Sequence, residues 1–302
     1  MRTQPPVSPE PRTRTLAAPP PLVPLLARGA LLSPFKRPRP DAPAPAARLL
    51  LSGARVDLAH LAAYERVCGF PTGADALPVT YPHVLAFPLA MRIMAGRAFP
   101  LPLLGLVHTS IEITRHQETT ATAAYELAVL VEKLAPHRRG TEATVLTEAR
   151  VHGRLVWESR STYLARHRPR NTDKCRESPR SVPPSSAEIP EPLPAVAEWR
   201  LAPDVGRRYG AVSGDRNPIH LHPLTARLFG FPGAIAHGMW TVARCLAEYG
   251  PRQAVYVRAE FRAPVPLPGT VTYASLGPSF ELRSGDRVHL TGAVRPLHAR
   301  DG

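Results

Sequence analysis

The stretch GAIAHGMWTVARCLAEYG, Gly233 to Gly250, decides how the rest of the chain is read. Its apolar residues follow helical spacing. Gly250 and Pro251 close it, because glycine accepts the left-handed conformation at a helix end and proline cannot continue the hydrogen-bond ladder. Four stretches follow at 254–265, 269–277, 279–285 and 287–295, each with the period-two alternation of a strand. One helix leading into an antiparallel sheet is the unit from which the reading spreads outward.

The same order occurs earlier in the chain. DLAHLAAYERVCGF (57–70) reads as a short amphipathic helix with Asp57 as N-cap and Gly69 near its end. YPHVLAFPLAMRIMAG (81–96) reads as a mostly apolar helix ending at Gly96, with Pro88 either kinking it or marking its true first turn. After FPLPLLG the period changes to two, in VHTSIEITR, YELAVLVEKL and residues 141–166, where His152-Gly153 suits a hairpin turn. A helix and then an antiparallel sheet, twice, is an α+β duplication. A sheet wrapped around one central helix is a hot-dog fold, and two in tandem make a double hot dog.

Composition supplies the boundaries. Thirteen prolines in the first 45 residues leave room for little packed structure beyond the apolar patch at 22–32, which is expected to lie on the folded body; residues 1–45 read as a flexible arm. Residues 46–166 form the first unit, 167–194 a disordered linker rich in Pro, Ser and charge, and 195–302 the second unit.

The net charge of +14 invites a nucleic-acid reading, yet residues 1–50 carry +6 of it and residues 166–180 another +4. Both stretches are proline-rich, and no basic helix or interleaving of aromatic with basic residues accompanies them, so no nucleic acid is expected as a partner. Three scattered cysteines without CxxC spacing point to reduced thiols and a cytoplasmic location. No apolar run is long enough to span a membrane.

SGDRNPIHLHP, Ser213 to Pro223, gathers an Asp, an Asn and two His, and three readings compete for it: a metal site, an acid–base pair or a plain turn. A metal would need Asp215, His220, His222 and His237 to converge. His220 and His222 are two apart and point in different directions in extended chain, and His222-Pro223 has the form of a helix N-cap. Metal is therefore not expected. An Asp and a His five residues apart can meet on one water if the chain turns between them, and Pro218 stiffens such a turn.

The run YGAVSGDRNPIHLHPLTA (209–226), followed by GFPGAIAHGM (230–239), resembles the signature of the MaoC-like, (R)-specific enoyl-CoA hydratases. LPVTYPHVLAFPLAM, FPLPLLGLVH and GRLVWES in the first half resemble two-domain actinobacterial members, so the resemblance spans roughly residues 55–300. It implies reversible hydration of trans-2-enoyl thioesters to (3R)-hydroxyacyl thioesters. Asp215 and His220 would activate the water, and the Gly238 amide would polarise the carbonyl. Ser213, Asn217 and His237 are expected in support, with Asn217 orienting the turn. The carrier would be coenzyme A or acyl carrier protein, with no other cofactor, and Arg258, Arg262 and Arg252 are candidates for its acidic groups.

The chemistry needs a base for water attacking C3, an acid for C2 and a donor for the enolate-like oxygen. A helix start supplies such a donor, since its first N–H groups lack partners. The first half has no DxNPxH and reads as a degenerate partner that walls an acyl tunnel, leaving His83 and His108 with core or rim roles. The alternative is a non-catalytic acyl-thioester-binding or assembly protein of the same fold. A hot-dog thioesterase is a third reading, but nothing here resembles its helix-borne carboxylate. A monomeric double hot dog and a homodimer are both compatible with the sequence.

Overall fold

The computed structural model describes residues 12–38, 42–167, 192–250 and 254–297. The expected linker falls almost wholly outside these residues, as does Arg252.

In the first half β2 (Ala47–Arg55) leads through α2 (Leu58–Cys68) and α3 (Tyr81–Met94) to four strands. These are β3 (Leu106–Arg115), β4 (Ala124–His137), β5 (Gly140–Val151) and β6 (Arg154–Arg166). In the second half β7 (Ala195–Leu201) leads through α4 (Val205–Ser213), α5 (Pro218–Leu221), α6 (Pro223–Leu228) and α7 (Gly238–Tyr249). Four strands again follow: β8 (Val255–Phe261), β9 (Gly269–Leu276), β10 (Ser279–Ser284) and β11 (Arg287–Pro296).

The strands run β2-β4-β5-β6-β3 in one half and β7-β9-β10-β11-β8 in the other, the same permutation twice. The equivalent strands β3 and β8 pair antiparallel, Ser110–Arg115 against Glu260–Val255, which joins the halves into one sheet. Their inward residues Ile111, Ile113, Val257 and Ala259 are fully buried. The architecture is a double hot dog of α+β class.

Local chemistry explains most element ends. The Asp57 side chain accepts from the amides of Ala59 and His60, and Gly69 is left-handed at the far end of α2. His152 and Gly153 both have positive φ, the signature of the tight turn that matches strand twist. Pro88 lies inside α3 and does not mark its first turn; the helix starts at Tyr81, with Pro82 near its N-terminus, where no amide is missed. The second central helix starts at Gly238 rather than at 233. Residues before it are extended, because Ala236 donates to Val265 O and Ile235 to Ile219 O, bonds from tertiary neighbours that compete with helix.

Within the proline-rich beginning, the apolar patch is the helix α1 (Leu22–Leu32). Arg12–Leu16, for which the proline count predicts no element, forms β1, parallel to β2 at the sheet edge. Gly29 lets α1 press close on Leu103, where a Cβ would stand 2.3 Å from Cδ2. Lys36 Nζ donates to Met94 O at 3.1 Å and Gly96 O at 3.0 Å, covering the open carbonyls at the end of α3. Burial and the nearby Arg28 lower the pKa of this ammonium to about 8.

Candidate functional site

Between α4 and α7 the second half inserts residues 214–237, where the first half needs only 69–80 between α2 and α3. The quoted SGDRNPIH turn lies in this insertion, flat against α4. Gly206 and Gly210, one helical turn apart, make that possible. A Cβ on Gly206 would stand 2.0 Å from His220 O, and one on Gly210 would stand 2.9 Å from Asp215 O. Two absent side chains thus let the Asp215 and His220 backbones rest on the helix.

The turn is held by its own polar groups. The Asp215 amide donates to Ser213 Oγ at 3.2 Å, and the Asn217 amide donates to Asp215 Oδ1 at 3.2 Å. The Asn217 side chain caps α5 by accepting from the Ile219 amide. His222 is exposed and caps α6 through its ring, accepting from the Leu224 amide. His220, by contrast, is buried.

Two histidine tautomers follow from carbonyl partners, since a carbonyl only accepts. His220 Nδ1–H donates to Ile235 O at 2.8 Å, which leaves the lone pair on Nε2. His237 Nε2–H donates to Asp215 O at 2.8 Å, with the carboxylate oxygen Oδ2 4.0 Å away. The two rings stack with centroids 3.7 Å apart. Burial lowers the His220 pKa, and the Asp215 charge opposes that fall. Burial and the neighbouring His220 take His237 down to about 3, so it is neutral at neutral pH.

Asp215, His220 and His237 present ligand-type atoms within 4.8 Å of one another. The donor set fits a metal poorly, because the His237 nitrogen that faces Asp215 carries a proton rather than a lone pair.

Gly238 is the first residue of α7, and the helix has no side-chain cap at its N-terminus. Its missing Cβ faces the Phe261 ring, whose nearest atom would be 2.8 Å away. The start of α7 thus packs closely on Phe261 of β8. All of this surrounds one cavity of about 990 Å³, which Asp215, His220, His237 and Gly238 line together.

The candidate substrate arginines fare differently. Arg262 lines the cavity, with its guanidinium 2.6 Å from Glu260. Arg258 is not among the lining residues and sits between Glu260 at 3.0 Å and Glu112 at 3.9 Å. Arg138, Arg139, Arg166 and Arg216 reach the cavity without having been singled out in the sequence. His83 and His108, expected in core or rim positions, both line this cavity, and His83 is buried. Asp215's charge acts on His83 and on Tyr163, both from the first half.

A tandem pair of hot-dog units, with an Asp–His turn beside the open start of the second central helix, defines a MaoC-like protein. The MaoC like domain family matches residues 185–276, and the chain belongs to that family. Its similarity extends well beyond the domain. It is 37% identical over 250 residues to 3-hydroxyacyl-thioester dehydratase X of Mycobacterium tuberculosis, covering 80% of this chain and 86% of that protein. The crystal structure of HtdX from the same organism superposes with a TM-score of 0.71 at 34% identity, over 83% of this chain and 100% of that one. A MaoC-like dehydratase from Phytophthora capsici shares the fold, with a TM-score of 0.62 at 15% identity over 85% and 96% of the two chains.

Proposed function

We propose that the protein is a hydro-lyase acting on acyl thioesters. It adds water to a trans-2-enoyl thioester to give the (3R)-hydroxyacyl thioester, or runs the reverse dehydration. The observation that carries this reading is the tautomer of His220: with Nδ1–H given to Ile235 O the lone pair is left on Nε2, and His220 lines the cavity in one cluster with Asp215.

In the hydration direction a water lies between Asp215 and His220. His220 Nε2 takes one of its protons as the oxygen bonds to C3. The electron pair of the C2–C3 double bond moves toward the thioester oxygen, where the Gly238 amide at the start of α7 meets the growing negative charge. The proton then returns to C2 and the carbonyl re-forms. Asp215 steadies the charged imidazole meanwhile, and its carbonyl bond from His237 keeps the backbone of the turn in register. A positioned base of this kind is worth about 10²–10⁴ in rate.

The carrier is coenzyme A or acyl carrier protein, and the arginines at the cavity, Arg262 among them, are suited to its acidic groups. The first half, with no acid–base turn of its own, lends its α3 face to the acyl chain. The name of the M. tuberculosis relative supports the thioester class. Incubation with a graded series of trans-2-enoyl-CoA chain lengths, followed by chiral analysis of the product, tests the reading. The (3R)-hydroxy product is expected; the (3S) product, or binding without turnover at any length, overturns it.

A further inference from the structure

The helix α1, which precedes both hot-dog units, runs beside α3 in the same direction. At its start Leu22 occupies the place that a Cβ on Gly214 would take, and Phe87 would stand 3.7 Å from that Cβ. Further along, a Cβ on Gly29 would lie 3.2 Å from the Ala95 side chain. Beyond the helix, Lys36 closes on Met94 O and Gly96 O. From Leu22 to Gly29 α1 advances about 10.5 Å, and from Phe87 to Ala95 α3 advances about 12 Å, as two helices side by side should. The segment thus begins against the residue before Asp215 and ends at the C-terminus of α3.

The inward residues of α1 divide into two sets. Leu25 and Gly29 are buried and hold the helix in place, and Ser33 Oγ fixes its end by accepting from the Leu104 amide at 2.9 Å. Leu26 and Ala30, four residues apart on one face, are half-buried and line the cavity that also holds Asp215 and His220. Phe87, Met91 and Met94 of α3 line it with them, as does Leu103. Every lining residue from α1, from α3 after His83 and from 103–107 is apolar. The charged lining residues of the first half come instead from the β4–β5 connection, the start of β5 and the end of β6. One part of the cavity, between α1 and α3, therefore suits hydrocarbon.

We propose that α1 is the outer wall of the acyl channel, and that Leu26 and Ala30 determine which chain lengths the site accepts. The inference rests on the acyl-thioester reading above and adds to it an element outside both hot-dog units. A chain that leaves the reacting carbons between α1 and α3 passes Leu26 about 6 Å, and Ala30 about 12 Å, beyond Leu22 along the helix. The single methyl of Ala30 leaves the room that a longer chain needs. A short chain ends before either residue.

The test is calorimetric binding of saturated, unreactive butanoyl-, octanoyl- and dodecanoyl-CoA. Wild type, Ala30→Phe, Leu26→Ala and Leu31→Ala are compared, with turnover of the matching trans-2-enoyl-CoA followed in parallel. Ala30→Phe fills the channel and should weaken dodecanoyl-CoA about tenfold or more, while butanoyl-CoA changes by about twofold at most. Leu26→Ala only removes atoms, and should weaken octanoyl- and dodecanoyl-CoA about fivefold and butanoyl-CoA least. Leu31 is 73% exposed, so Leu31→Ala should bind all three like wild type. Losses of equal size at every length, no loss with dodecanoyl-CoA in either cavity variant, or the same length dependence in Leu31→Ala overturns the wall. Length-dependent losses without turnover of any enoyl-CoA would refute the hydro-lyase reading and leave the wall standing. Turnover with length-independent losses would do the reverse.

Discussion

Gly206→Ala is the substitution through which the packing of the site can be tested without touching a reacting group. The added Cβ would stand 2.0 Å from His220 O and 3.0 Å from its carbonyl carbon. Both are backbone atoms, so no side-chain rotation relieves the clash. An ordinary carbon–oxygen contact needs about 3.2–3.4 Å, so helix and turn must separate by roughly 1.2 Å, far more than close-packed interiors absorb for free. A displacement of about 1 Å at a catalytic group costs on the order of 10² in rate.

Stability should move less. Overpacking costs about 1–3 kcal/mol, while replacing glycine by alanine inside a helix returns about 1 kcal/mol. The expected variant therefore keeps its far-ultraviolet spectrum, melts a few degrees lower at most, and hydrates trans-2-octenoyl-CoA about a hundredfold more slowly through kcat. Loss of enoyl-thioester absorbance gives the rate and thermal unfolding gives the stability. A variant with wild-type kcat would refute the claim that α4 sets the position of His220.

Further predictions come from burial and charge. His83, His108 and His237 are held neutral, with pKa values near 4, 3 and 3, whereas in the unfolded chain each titrates near the ordinary 6.5. The unfolded state thus binds more protons between about pH 6.5 and pH 4, and stability falls as the pH drops through that window. Each histidine contributes about 1.4 kcal/mol per pH unit, so urea titrations at pH 6 and pH 5 should differ by roughly 4 kcal/mol; equal midpoints would contradict the neutral assignment. The acid limb of the pH–rate profile should lie below the usual imidazole range, because burial lowers the His220 pKa and only its neutral form accepts a proton. An acid limb above that range would show a different base. Gly238→Ala pushes a methyl into Phe261 and narrows access to the amide, and should cost about 10²–10³ in kcat with little change in unfolding; an unchanged kcat would remove that amide from the chemistry.

Much of this architecture is legible in the residues because it is written locally. The double helix-then-sheet order, the Asp57 cap, the His152-Gly153 turn and the capping role of His222 all depend on neighbours in sequence. The features that escape sequence reading depend on distant ones. GAIAH looks helical until Val265 and Ile219 supply its hydrogen bonds. Gly206 and Gly210 look like small residues in a polar segment until the turn is seen resting on them. His83 and His108 carry no nearby carboxylate in sequence, and they share a cavity with Asp215 only because β3 and β8 join the two halves. The ion pair of Arg258 is hidden for a similar reason, since Glu112 comes to it from the other half. The second histidine of SGDRNPIHLHP, the one that suggested a metal, is a helix cap.

The central claim is that Asp215 and His220 act as one acid–base unit on a water bound between them. It is tested most directly by the hydration rate of a single trans-2-enoyl-CoA in wild type, Asp215→Asn, His220→Ala and the double variant. Each single change should lower kcat by about 10²–10⁴, and the double variant should be scarcely slower than the worse single one, as expected of groups that work together. Single variants at the wild-type rate, or losses that multiply in the double variant, would contradict it.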